Sequence, residues 1–293
     1  MARGGGTGTG AGARVSALAV CWLWTWVVGG CGPGVIEPSV RADVPHGRSP
    51  ESGPEGPRAL PPSAACVRAG QPIGEAVTQL VVVTAAGFDT WRAELQRYER
   101  ANAGSWRAVG GSLPVVLGRA GYAWGDGVHG SGAPGGRPGP LKREGDGRSP
   151  AGMFAVGTLR GYAADAPLGA SLPYEQSSAR QRCVDDPRSV AYNQIVEAGQ
   201  GGESWRSAER MRRDDAVYEL ALDIEHNRSP VVPGHGSCIF AHVWVDERTP
   251  VAGCTGMALT ELKTLMVWLR PGALWVSLPI QEYQALRACW DLP

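Results

Sequence analysis

Two periods of apolar spacing run along the chain. Residues 79–84 read Gln-Leu-Val-Val-Val-Thr, a short β-branched run with the character of a buried strand. Val115-Val116-Leu117 and residues 273–278 have the same character, while residues 91–100 fit helix and strand equally. Asn102-Ala103-Gly104 reads as a turn into Trp106-Arg107-Ala108-Val109, which favours a hairpin there. In residues 260–269 the spacing changes: Leu262, Leu265, Met266 and Leu269 recur at i, i+3, i+4, i+7. That predicts an amphipathic helix, with Thr260 placed to cap it and Pro271-Gly272 to end it. A second helix is expected around residues 204–212, and residues 125–139 form a Gly/Pro-rich loop. Strands outnumber helices, so the expectation is a mainly β domain with a few short helices over residues 74–293. About 220 residues are enough to bury a substantial core as one domain.

The chain opens differently. Arg3 and Arg14 precede an apolar run at residues 15–28 that ends in Gly29-Gly30-Cys31. This is the charged, apolar and small-residue order of a secretory signal, and the run falls short of the ~20 residues of a spanning helix. Val28-Gly29-Gly30-Cys31 also resembles a bacterial lipoprotein box, so residues 1–30 are expected to be a signal peptide and Cys31 the lipidation site. Residues 31–73 are dense in Pro, Gly, Ser and Arg without apolar periodicity and read as a flexible linker. The localisation that follows is the periplasm, with a lipid anchor holding the domain to a membrane.

Charge narrows the partners only by exclusion. With 28 basic and 28 acidic side chains the net charge is zero, so there is no field to collect DNA or anionic lipid, and no nucleic-acid partner is expected. Gly (42) and Pro (23) are abundant enough to argue against a helical bundle.

Seven cysteines occupy positions 21, 31, 66, 183, 238, 254 and 289. Setting aside Cys21 with the signal and Cys31 as lipid carrier leaves five in an oxidising compartment, an odd number that implies one free thiol. No Cys-x-x-Cys pair occurs, so neither a zinc ribbon nor a thioredoxin-type motif is supported. With Cys254 set aside, Cys66, Cys183, Cys238 and Cys289 allow three pairings, among which a Cys66–Cys289 staple across the domain would suit their positions.

The richest chemistry lies between Gly234 and Gly256. If residues 238–244 form a strand, alternation puts Cys238, Phe240, His242 and Trp244 on one face. Twelve residues after His242, Cys254 stands in a Gly-Cys-Thr-Gly turn just before the expected helix. A loop of that length can return the thiol to the imidazole, and the backbone N–H groups around Gly253 and Thr255 can point at an oxyanion. Histidine as base and thiolate as nucleophile make an acyl-transfer site. The plainer readings are Cys254 as core or disulfide partner, His242 as a satisfied core histidine, and Cys238 as packing, disulfide partner or metal ligand with His242 and Cys254. His235 on its Pro-Gly-rich turn and Arg148 are candidate substrate contacts, with Asp146 and Ser149 beside them. The pair Asp185-Asp186 before Pro187 more simply closes a turn, and the arginines around Glu209 read as a solvated helical face.

Several of these segments together resemble the L,D-transpeptidases of bacterial peptidoglycan, the YkuD-type domain. Ile239-Phe240-Ala241-His242-Val243 and Ala252-Gly253-Cys254 match its histidine and cysteine signatures. Ser149-Pro150-Ala151-Gly152-Met153-Phe154 resembles an upstream segment, and Val184-Asp185-Asp186-Pro187-Arg188-Ser189 with Tyr192-Asn193 resembles a secreted branch. The resemblance implies a β-sandwich-like domain with Cys254 as nucleophile and His242 as base, the imidazole being oriented by a backbone carbonyl. It implies peptidoglycan stem peptides as partners: a thioester forms on the third residue of a tetrapeptide, D-Ala leaves, and an amine resolves the thioester. Phe240 joins Arg148 and His235 as a candidate substrate contact, and no metal or organic cofactor is implied. An L,D-carboxypeptidase or amidase with the same dyad, and a non-catalytic cell-wall-binding lipoprotein, are the alternatives. The sequence departs from many members after the nucleophile, where Thr255-Gly256 replaces the Arg or Asn found two places on.

Overall fold

The structure is a computed structural model that describes residues 73–101, 104–199 and 204–293. The signal, Cys31, the linker as far as residue 72, Cys66 and the 102–103 turn lie outside the described residues, while Ile73, expected to end the linker, is instead buried in the main core. The first strands are β1 (Gln79–Ala85), β2 (Arg92–Glu99), β3 (Arg107–Val116), β4 (Tyr122–Trp124), β5 (Asp126–Gly127), β6 (Gly130–Ser131) and β7 (Ser149–Gly161). They are followed by β8 (Tyr174–Gln176), β9 (Gln181–Val184), β10 (Ile195–Glu197), β11 (Ala208–Arg210), β12 (Leu220–Ile224), β13 (Phe240–Val243), β14 (Thr255–Met257) and β15 (Leu274–Pro279). The helices are α1 (Leu259–Trp268) and α2 (Ile280–Trp290).

The fold is mainly β. Its large sheet runs β12-β13-β14-β3-β2-β1-β15-β7 and closes on itself, because β12 also pairs with β7. Closure removes the sheet edges that would otherwise invite pairing with other chains. The β-branched run of β1 explains its place: Leu80, Val81, Val82 and Val83 are all buried, as a strand covered on both faces requires. It pairs in parallel with β15 and antiparallel with β2, so the ambiguous segment at residues 91–100 resolves as strand, in a hairpin with β3.

Two expectations need correction. Residues 208–210 are strand β11, not part of a helix: they pair with β9 through Ala208↔Val184 and Glu209↔Cys183, so a tertiary pairing overrides the helix-like charge spacing. In α1, Leu262, Leu265 and Met266 are buried as the period demands, but the cap position is Ala258 and Thr260 lies inside the helix.

The strands β12, β13 and β14 carry the site between two cores. Leu222, Ala241, Val243 and Met257 point into the main core, which also takes Leu262, Leu265 and Met266 of α1. The opposite face carries Ala221, Phe240 and Cys254 into a second cluster with Cys183, Met211, Tyr218 and Cys238. That second core is roofed by the small sheet β10-β9-β11. The cap is tied down by a disulfide between Cys183 of β9 and Cys238, 55 residues apart, which is one of the three pairings left open by the sequence. No helix among the described residues is long and apolar enough to cross a membrane.

Candidate functional site

Strand β13 runs parallel to β14 with His242 opposite Gly256. Residues in register on neighbouring strands point to the same face, so Cys254, two places before Gly256, stands diagonally across from His242. Both side chains line one cavity of about 230 Å³ together with Glu209, Arg213, Tyr218 and Val251. Among the described residues Cys254 is the free cysteine.

The thiol is enclosed. Cys254 is 6% and His242 4% exposed, so each meets substrate only through the cavity. The Phe240 N–H donates to Cys254 Sγ at 3.3 Å, and the thiol donates to the Cys238 carbonyl at 3.4 Å. Cys238 holds that carbonyl in place from an unusual conformation, with φ of 56°. Left-handed backbone costs a non-glycine residue about 1–2 kcal/mol. Two ties hold it there: the disulfide to Cys183, and the Cys238 N–H donating to Asn193 Oδ1 at 3.0 Å. The strand begins only at Phe240, so Cys238 is not a fourth member of the alternating face. Its sulfur belongs to the disulfide, which removes it as a thiolate ligand for a metal.

His242 Nδ1 lies 2.9 Å from the Val243 carbonyl. A carbonyl only accepts, so Nδ1 carries the proton and Nε2 is the ring's acceptor. Burial draws the imidazole down to about 4, opposed by that carbonyl bond. Burial likewise pushes the Cys254 thiol up to about 12, and the Glu209 carboxylate adds to the push. The resting pair is therefore thiol and neutral imidazole, in contrast to a preformed thiolate–imidazolium pair.

Three further residues shape the site. Tyr218 lies edge-on to His242 with ring centroids 5.2 Å apart, and its O–H donates to Glu209 Oε2 at 2.6 Å. Ser149 Oγ accepts from the Gly118 N–H at 2.8 Å and donates to the Cys254 carbonyl at 2.6 Å. It thereby fixes the peptide that carries the Thr255 N–H. Behind Cys254 a Cβ on Gly253 would stand 3.0 Å from the Arg148 carbonyl, so the turn is already in close contact.

The other predicted contacts fall elsewhere. Arg148 is spent on the carbonyls of Phe88 and Tyr122 and on Asp89, and lines no part of the cavity that holds Cys254 and His242. His235 Nδ1 pairs with Asp126 at 2.7 Å beside a different cavity of about 560 Å³. Phe240 is fully buried and packs against Tyr218, so it reaches the site through its backbone N–H alone. Asp146 and Asp186 serve turns, accepting from the N–H groups of Arg143 and Arg148 and of Arg188 and Arg206 respectively. Asn193 is buried and binds the His226 and Asn227 carbonyls as well as Cys238. Cys289 is disulfide-bonded. No protein-family model, curated protein or solved structure matches the chain. Its chemistry is therefore read from the cavity itself.

The residues that sequence reasoning passed over are Glu209 and Tyr218. They reach Cys254 through the cap, and the only signal available was that one acidic residue stands among four arginines.

Proposed function

We propose that residues 74–293 form a cysteine acyltransferase of the L,D-transpeptidase type acting on peptidoglycan stem peptides. One observation carries the reading: a free thiol and a neutral imidazole, with Nδ1 on a backbone carbonyl and Nε2 as acceptor, line the same cavity. The resemblance of the histidine, cysteine and Asp-Asp-Pro segments supplies the substrate class, and the sandwich-like YkuD-type description of the closed sheet belongs to the same proposal.

His242 Nε2 takes the thiol proton as Cys254 Sγ attacks the carbonyl of the third stem residue. The Sγ–C bond forms, the C–N bond to D-Ala breaks, and the proton on Nε2 leaves with the D-Ala amine. An acceptor amine then attacks the thioester, loses its proton to Nε2, and restores the thiol. In this reading the signal and Cys31 place the domain in the periplasm on a lipid anchor, and no cofactor takes part.

The test is mass spectrometry of products from a disaccharide-tetrapeptide incubated with the full chain and with Cys254→Ala. A dimer with loss of D-Ala, absent in the variant, is the expected result. Tripeptide alone would move the assignment to a carboxypeptidase, and unchanged substrate with folded protein would reject both.

A further inference from the structure

Two charged side chains line the catalytic cavity, Arg213 and Glu209. Arg213 is already engaged. Its Nε and Nη2 hold Asp215 at 2.7–3.1 Å, and its guanidinium lies 5.6 Å from the Tyr218 ring. Glu209 is engaged on one side only: Oε2 accepts the Tyr218 O–H at 2.6 Å, while among the described residues Oε1 accepts no hydrogen bond. Burial pushes the Glu209 carboxyl above the ordinary carboxylate range, with Asp185 and Glu144 adding to the push and the Tyr218 hydrogen bond and Arg213 opposing it. Arg213, held by Asp215, offsets the Glu209 charge only in part, and the open oxygen leaves room for a cation in the cavity.

We infer that Glu209 is a specificity-determining residue that receives an ammonium group of the substrate inside the catalytic cavity, beside Cys254. The inference rests on the acyl-transfer reading for the identity of the substrate, a stem peptide whose third residue carries a side-chain amine. It also gives the binding event a chemical consequence. The Glu209 charge opposes ionisation of the neighbouring thiol, and a bound ammonium cancels that charge. A substrate with the amine would ease its own nucleophilic attack, whereas one without it would meet a thiol still held neutral. Recognition is then expressed in the rate of acylation as well as in binding.

The experiment has two arms on the full chain. In the first, Cys254 is modified with 2-aminoethyl methanethiosulfonate or with neutral methyl methanethiosulfonate, each rate normalised to a free-cysteine peptide and read at the Cys254 peptide by mass spectrometry. The Sγ–S bond forms and methanesulfinate leaves in both. The cation-to-neutral ratio is expected to be about ten- to a hundredfold higher in wild type than in Glu209→Gln, the size of one charge-assisted contact. Glutamine still accepts the Tyr218 O–H, so a merely structural Glu209 would leave the ratio unchanged and overturn the inference. A wild-type ratio near one overturns it whether or not the variant folds. In the second arm, D-Ala release is compared for tetrapeptides with the side-chain amine free or acetylated. Wild type is expected to favour the free amine by a similar factor, and Glu209→Gln to lose that preference and use the two peptides at the same rate. No D-Ala from either peptide, with the first-arm preference intact, would reject the stem-peptide reading and leave the role of Glu209 standing. Equal use of both peptides by wild type would overturn that role.

Discussion

Removing the Cys183–Cys238 disulfide should uncover the nucleophile. The bond closes a loop of 55 residues that contains β10, β11 and the end of β9, and Cys238 is also the residue whose carbonyl receives the Cys254 thiol proton. Cross-linking a loop of that length lowers the entropy of the open chain by about 14 cal/mol/K, or about 4 kcal/mol at 25 °C. If the cap opens as a unit, the double variant Cys183→Ala/Cys238→Ala loses that amount from the free energy of opening. At 1.4 kcal/mol per decade the open population rises about a thousandfold. The assay is the rate of iodoacetamide labelling at the Cys254 peptide, resolved by mass spectrometry, with opening fast compared with labelling. Loss of the tie that supports φ of 56° at Cys238 acts in the same direction. A double variant that retains its fold and labels Cys254 at the wild-type rate would refute the reasoning, since burial of the thiol would then owe nothing to the pinned cap.

Two further outcomes follow from the buried titratable groups. With the Cys254 thiol pushed up to about 12 by burial and by Glu209, labelling of wild type should rise about tenfold per pH unit from pH 6 to 10. A plateau beginning below pH 7 would instead reveal a thiolate–imidazolium pair. His242 and His226 are both drawn down by burial to about 4 from the ordinary 6.5. Unfolded chains bind protons there that the fold refuses, so stability is lost as pH falls from 6.5 towards 4. The loss is about 2.5 kcal/mol per histidine at pH 4.5. Urea midpoints at pH 7 and pH 4.5 should show it, and His242→Gln should flatten its share; an unchanged pH dependence in that variant would contradict the assignment.

Local pattern made part of this molecule legible. The 3.6-residue spacing of Leu262, Leu265 and Met266 marked α1, and short apolar runs marked β1 and β15, because local burial is written directly into those stretches. Cys254 and His242 were legible because a Gly-flanked cysteine and a strand histidine stand twelve residues apart. Helix α2 escaped notice: it starts directly after Pro279 and buries only Glu282, Leu286 and Trp290, too sparse a stripe to announce itself. The cap strands are short, and partners on β9 and β11 lie 24 to 28 residues apart, Glu209 opposite Cys183 among them. Glu209 consequently looked like part of a solvated face. Its approach to Cys254 depends on the fold of the cap over β13, a tertiary fact that no local period records.

The most direct measurement of the central claim is the mass of Cys254 during turnover. The full chain is mixed with disaccharide-tetrapeptide and no acceptor, quenched in acid, and mapped by peptide mass spectrometry. The account predicts a disaccharide-tripeptide adduct on the Cys254 peptide, with one D-Ala released per adduct and none in His242→Gln within the same burst. D-Ala release without any adduct, or undiminished release by Cys254→Ala, would contradict it.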